Sequence, residues 1–208
     1  MQSVALIDYG SGNLRSAEKA LVRAAGGAAD IVVTDRPERI AAADRVVLPG
    51  VGAFAACMAA LAARDGVIEA LTEAVRARGA PFLGICVGMQ LLATRGLEFG
   101  ETAGLGWIAG DVTRLEVADP SLKIPHMGWN EVTPATPSAL IAAAETMYFT
   151  HSFAFHPADP ADIAATVEHG QCFPAAVARG NVAGVQFHPE KSQGAGLALL
   201  ARFLEWRP

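Results

Sequence analysis

The chain has 208 residues, with 16 Lys+Arg against 21 Asp+Glu, a formal net charge of −5, and a hydrophobic fraction of 52%. That content supports a buried core and excludes disorder, and the absence of any apolar run of about 18 residues excludes a transmembrane helix. The acidic balance argues against a nucleic-acid or anionic-membrane binder, which would carry a basic patch. In chain order, residues 4–7 predict a buried strand ended by Asp8-Tyr9-Gly10. Leu14, Ala17, Leu21 and Ala24 share a helical face, and Gly26-Gly27 stops that helix. Residues 31–33 and 45–48 predict two more strands, the latter broken by Pro49-Gly50. An alanine-rich helical region runs from about Phe54 to Arg78 and breaks near Asp65-Gly66, before a strand over 81–85. Repeated strand–helix–strand units imply parallel strands with right-handed crossovers.

The second half changes character. Short β pieces over 111–117, 147–150, 163–167, 175–178 and 182–187 lie between Pro, Gly and charged turns, and predict an antiparallel extension of the same sheet. A helix with Leu197, Leu200 and Leu204 on one face closes the chain. With no linker, repeat or low-complexity tract, a single α/β domain over residues 1–208 is expected. It would be an open, mostly parallel sheet with helices on both faces. Met1-Gln2-Ser3-Val4 lacks a basic secretory segment, and Cys57, Cys86 and Cys172 are sparse and odd in number. A reduced, cytoplasmic protein is expected, and the scattered histidines give no metal-ligand spacing.

Gly84-Ile85-Cys86-Val87-Gly88 follows a predicted strand and precedes the helical stretch Met89-Gln90-Leu91-Leu92. This is the context of a nucleophile elbow with Cys as nucleophile. A helix start there favours thiolate and oxyanion. The pentapeptide alone fits a buried structural Cys equally well. Cys57 and Cys172 lack such a setting and read as inert. Gln186-Phe187-His188-Pro189-Glu190 ends the predicted strand over 182–187. In extended chain His188 and Glu190 would point to one side, roughly 6.5–7 Å apart, so that Glu190 orients His188 as the base of a triad. A lone His-x-Glu reads better as a surface turn; two such motifs at strand ends reverse that preference. Leu48-Pro49-Gly50-Val51-Gly52-Ala53-Phe54 supplies a backbone N–H that, with that of Val87, would form an oxyanion hole. A dinucleotide-binding reading of Gly50-x-Gly52 is disfavoured, because it follows the third strand and Glu69 and Glu73 fall within a helical pattern.

With these pieces in order, the chain resembles class I, triad-type glutamine amidotransferases, and among them the glutaminase subunits of imidazole glycerol phosphate synthases. The remaining carrying stretches are Asp8-Tyr9-Gly10-Ser11-Gly12-Asn13-Leu14, Ile124-Pro125-His126-Met127-Gly128-Trp129-Asn130, Tyr148-Phe149-Thr150-His151-Ser152-Phe153 and His188-Pro189-Glu190-Lys191-Ser192. Val87 stands where Leu is commoner, and Phe153 where Tyr is usual. The resemblance implies a flavodoxin-like fold and L-glutamine hydrolysis through a thioester on Cys86, with His188 and Glu190 completing the triad. It implies an oxyanion hole at Val51, Gly52 and Val87. Gln90, Glu98, Tyr148, His151 and Ser152 match positions that form the glutamine pocket. It further implies a heterodimer with a (β/α)8-barrel cyclase that receives the ammonia, with Asn13, Met127, Trp129 and Lys191 near the interface. No cofactor is implied. The Gly50-Val51 peptide is expected to rest with its N–H turned away until the partner binds its ligand. Open alternatives are a glutaminase feeding another synthase and a cysteine hydrolase of related fold.

Overall fold

The computed structural model describes residues 1–117, 119, 121–135 and 138–208. The chain runs β1 (Gln2–Ile7), α1 (Leu14–Ala25), β2 (Ala29–Thr34), α2 (Pro37–Ala42), β3 (Arg45–Gly50), α3 (Phe54–Ala62), α4 (Val67–Thr72), β4 (Phe82–Cys86) and the single turn α5 (Val87–Gln90). It continues through β5 (Arg95–Gly96), β6 (Thr102–Ala103), β7 (Gly110–Arg114), β8 (His126–Pro134), β9 (Glu145–His151), β10 (Phe153–Pro157), β11 (Ile163–Glu168), β12 (Cys172–Arg179), β13 (Val182–Val185) and α6 (Gln193–Glu205).

Nine strands form the main sheet in the order β2-β1-β3-β4-β13-β12-β11-β8-β9. The first five are parallel, and β12, β11, β8 and β9 add on antiparallel. Buried strands of a parallel sheet carry continuous apolar runs because both faces are covered. Accordingly Val4–Ile7 of β1 and all of β3, β4 and β13 are buried. Each such Leu, Ile or Val contributes about 1.5–3 kcal/mol through burial. Helix α1 buries Ala17, Ala20, Leu21 and Ala25 and ends at Gly26, whose φ of 54° takes the left-handed turn of a C-cap. It packs on α6, while α2 packs on α4.

The sheet order reverses between β1 and β3, since the chain goes outward to β2 and then crosses back. Open α/β sheets place sites at such switch points, outside the carboxyl ends of the strands. The register Gly50↔Cys86 and Ile85↔Val185 brings the ends of β3, β4 and β13 side by side.

The segment over 111–117, expected to extend the main sheet, instead contributes β7 to a second sheet, ordered β10-β7-β5-β6. Strands β8 and β10 and the short helix α2 also lie beyond the sequence reading. In β8 the large side chains Met127 and Trp129 face solvent, at 64% and 48% exposure, while His126 and Val132 are buried. That inverts the usual apolar-in alternation, which is the signal a strand reading uses.

Candidate active site

The elbow forms because β4 runs directly into α5. Cys86 sits at the junction with φ 55° and ψ −112°, a conformation that side chains resist. The flanking glycines make the turn possible. A Cβ on Gly88 would run into the Leu48 carbonyl, and one on Gly84 would lie 2.5 Å from the Gly88 oxygen. Val87 heads α5, so its N–H belongs to the unpaired first turn of the helix.

His188 and Glu190 meet differently from the extended arrangement anticipated. Pro189–Lys191 is a 3-10 turn, which folds Glu190 back so that its Oε1 lies 2.8 Å from His188 Nδ1. Both side chains are buried, at 2% and 3% exposure. Ser192 braces the turn: its hydroxyl donates to the His188 carbonyl at 2.6 Å and accepts from the Tyr148 N–H at 2.9 Å. His188 Nε2 has no hydrogen-bond partner among the described residues. Burial alone would lower the pKa of His188. The proximity of Cys86 and the hydrogen bond and charge of Glu190 outweigh it and raise the value to about 9, leaving the ring a proton donor near neutrality.

The loop after β3 is held from three sides. Tyr9 donates from Oη to the Pro49 carbonyl at 2.8 Å; burial and Cys57 raise its pKa, so it remains a hydroxyl. Ser11 Oγ donates to the Val51 carbonyl at 2.7 Å and accepts the Val51 N–H at 3.4 Å. Cys57 Sγ lies 3.3 Å from the Val51 carbonyl, so this buried thiol, read as inert, packs into the loop's support. The Val51 N–H is thus engaged by Ser11.

Val51, Gly52, Cys86, Val87, Gln90, Glu98, Thr150, His151, Ser152, Phe153, His188 and Lys191 line one cavity of about 300 Å³. Glu98 accepts the Phe54 N–H, the first of α3, at 2.8 Å. Gln90 donates from Nε2 to the Phe153 carbonyl at 3.1 Å. Phe153 therefore acts through its backbone, which the Tyr-to-Phe difference leaves intact. His151 has both ring nitrogens engaged, by the Phe153 carbonyl and by His126. Tyr148 is not among the lining residues. Its carbonyl accepts the His188 N–H, and its ring lies against Trp129 and 5.8 Å from Lys191 Nζ. Asn13 is exposed at the start of α1 and borders a crevice with Gly50, His188 and Glu190.

Three functional candidates escaped the sequence reading. Gln186 is wholly buried and points Nε2 at Cys86 Sγ, 3.6 Å away. Ser11 and Ser192 hold the loop and the turn described above. All three lie inside the sequence motifs, but these contacts span 40 to 100 positions, which no local pattern encodes.

A family profile described as Glutamine amidotransferase class-I matches residues 5–206. The chain belongs to this family. Among curated relatives, an imidazole glycerol phosphate synthase subunit HisH from Caulobacter vibrioides is 64% identical, covering 100% of both chains. Proteins of the same name from Rhodospirillum rubrum and Zymomonas mobilis are 59% and 56% identical. They cover 99% of this chain, and 99% and 97% of their own. The crystal structure of a glutamine amidotransferase superposes with a TM-score of 0.73 at 20% identity over 97% of each chain. A glutamine amidotransferase from Thermotoga maritima superposes at 0.64, with 18% identity, over 98% of this chain and 96% of that one. These distant structures show the fold: a class I amidotransferase sheet flanked by helices. Among the described residues of this amidotransferase, no cluster of three or more metal-ligating side chains occurs, and no helix is long and apolar enough to cross a membrane.

Proposed function

We propose that this chain is a single amidotransferase domain over residues 1–208 that hydrolyses L-glutamine as the glutaminase subunit of an imidazole glycerol phosphate synthase. The Cys86 thiolate attacks the side-chain amide carbon, since a thiolate is the strong nucleophile and a thioester is readily hydrolysed. The Val87 and Val51–Gly52 N–H groups take the oxyanion. His188, oriented through Nδ1 by Glu190, gives its proton from Nε2 to the departing nitrogen. Ammonia leaves and the thioester forms. His188 then takes a proton from water, the hydroxide adds to the thioester, and glutamate leaves with the sulfur restored to Cys86. Gln90 and Glu98 hold the amino-acid end of the substrate, and residues 150–153 form the opposite wall.

Free ammonia is protonated in water, so it must pass directly to an acceptor. We assign that role to a separate (β/α)8-barrel cyclase in a cytoplasmic heterodimer that makes imidazole glycerol phosphate and aminoimidazole carboxamide ribonucleotide. Met127 and Trp129, with Lys191 and Asn13 nearby, suit the contact face, being exposed beside the cavity's strands. The Ser11 contact to the Val51 N–H supports a resting state that lacks one oxyanion donor. Docking of the partner, with its ligand, would turn that peptide inward.

One observation carries the reading: Cys86, His188 and the glutamine-side candidates Gln90 and Glu98 share one cavity, with Glu190 on His188 at 2.8 Å. The test is a glutaminase assay with and without the cyclase and its nucleotide ligand. Turnover should rise with both present and vanish in Cys86→Ala, while that variant still binds the cyclase. Glutamine turnover by Cys86→Ala would remove the nucleophile from the scheme.

A further inference from the structure

Gln186 precedes the triad histidine by two residues, yet the mechanism above gives it no task. Its side chain is fully buried just after β13, one residue beyond the paired Val185 and Ile85, and lies against Cys86. Buried polar side chains persist where their hydrogen bonds are satisfied. The bonds here form one continuous chain. Asn130 Nδ2 contacts His126 Nε2 at 3.2 Å, and His126 Nδ1 contacts His151 Nε2 at 3.0 Å. His151 Nδ1 and Gln90 Nε2 both reach the Phe153 carbonyl, at 2.9 and 3.1 Å. Gln90 Nε2 also contacts Gln186 Oε1 at 3.0 Å, and Gln186 Nε2 contacts Cys86 Sγ at 3.6 Å.

The orientation of every group in this chain follows from main-chain carbonyls, which only accept. The Phe153 carbonyl requires the nitrogen of Gln90 to face it. The second hydrogen of that nitrogen requires the oxygen of Gln186, which leaves Gln186 with N–H toward sulfur. The same carbonyl fixes His151 as the Nδ1–H tautomer. At the far end, Asn130 Nδ2 donates to the Glu168 carbonyl at 2.7 Å, so that amide is fixed too. No amide or ring in the series is free to flip without losing a bond.

We propose that Gln186 is a positioning residue with two tasks: it turns the amide of Gln90 so that Oε1 is left for the substrate, and it holds the Cys86 sulfur by an N–H···S contact. This inference rests on the roles given above to Cys86 and Gln90. A hydrogen bond from a neutral buried amide to a sulfur that becomes charged costs no reorganisation during the reaction. It also explains why an amide, rather than an apolar residue of equal size, occupies the buried position that directly follows β13.

Two variants separate the tasks, measured in the complex with the cyclase. Gln186→Met removes both contacts. It should raise KM for L-glutamine about tenfold, the effect of one lost hydrogen bond. Combined with Gln90→Met, it should raise KM no further than Gln90→Met alone, because Gln186 acts on the substrate only through Gln90. Gln186→Glu keeps an acceptor for Gln90 and removes the donor to sulfur. KM should stay within about twofold. Alkylation of Cys86 by iodoacetamide at about pH 8, followed on the Cys86 peptide by mass spectrometry, should slow about tenfold. Thermal unfolding identifies variants that fail to fold, and the unaffected variant then decides. Additive KM effects in the double variant, or parental alkylation in Gln186→Glu, would overturn the proposal. Loss of turnover in Cys86→Ala alongside parental kinetics in Gln186→Met would sink this inference alone; turnover in Cys86→Ala would sink the glutaminase reading itself.

Discussion

At the scale of single residues, Cys86 presents a conflict between stability and function. Its φ of 55° with ψ of −112° lies in a region that glycine reaches without strain and other residues do not. The strain is maintained because β4 and α5 are both anchored in the core and leave no other path. Cys86→Ala removes the sulfur but keeps the strain. Cys86→Gly removes both. We expect Cys86→Gly to be more stable than Cys86→Ala by about 1 kcal/mol, even after the larger chain entropy that glycine brings to the unfolded state. Urea unfolding of the two inactive variants tests this, and equal midpoints would mean that the elbow stores no strain. Gly88 shows the converse. Its missing Cβ is space taken by the Leu48 carbonyl, which no small side-chain movement can vacate. Gly88→Ala should therefore destabilise the protein by about 3 kcal/mol or more and abolish turnover, since the backbone of β3 must shift. A folded, active Gly88→Ala protein would contradict this packing.

At the scale of elements, the loop between β3 and α3 is where the proposed activation by the partner would act. Ser11 engages both the N–H and the carbonyl of Val51, at 3.4 and 2.7 Å. Removing its hydroxyl should favour the state in which the Val51 N–H faces the cavity. Ser11→Ala is expected to raise glutaminase turnover without partner by about tenfold, the worth of one hydrogen bond, with little change in KM. Unchanged basal turnover would show that Ser11 does not restrain the loop. Proline at Gly50 is a poorer probe, because a Cβ there would lie 2.8 Å from both Gly88 N and Tyr9 Oη and would disturb the elbow itself. The same scale explains what the sequence made legible. The elbow and His188-Pro189-Glu190 were visible because each is a local pattern attached to a strand end. The turn that folds Glu190 onto His188 was not, since Pro189 fits an extended chain and the first turn of a 3-10 helix equally well. The second sheet escaped because β5 and β6 are two residues each and carry no periodicity. Gln186, His126 and Ser192 lie within local motifs, but their roles come from partners far along the chain.

At the scale of the whole molecule, titration of the histidines gives the fold a pH dependence with a definite sign. Burial is the main cause lowering the pKa of His126 to about 3 and of His151 to about 4, and neighbouring histidines add to it. Both rings remain neutral, as the hydrogen-bond chain through Asn130 and Phe153 requires. In the unfolded chain each would take a proton near its ordinary value of 6.5. Between that value and about 4 the unfolded state binds more protons, so stability falls as pH falls. His188 acts in the opposite sense. With its pKa raised to about 9, its contribution is fully present below 6.5 and is lost as pH rises through about 9. Going from about pH 7.5 to about pH 5, the first two groups together withdraw more stability than His188 returns, a net loss of about 2 to 3 kcal/mol. Most carboxylates remain largely ionised across that window. Urea unfolding at the two pH values should show the loss directly. In His126→Gln, which keeps a neutral polar group between Asn130 and His151 but cannot titrate, the loss should fall to less than half of that in the parent. If the parent's stability is flat across the window, or if His126→Gln retains the full slope, the buried imidazoles are not the neutral links of the hydrogen-bond chain that ends at the Cys86 sulfur.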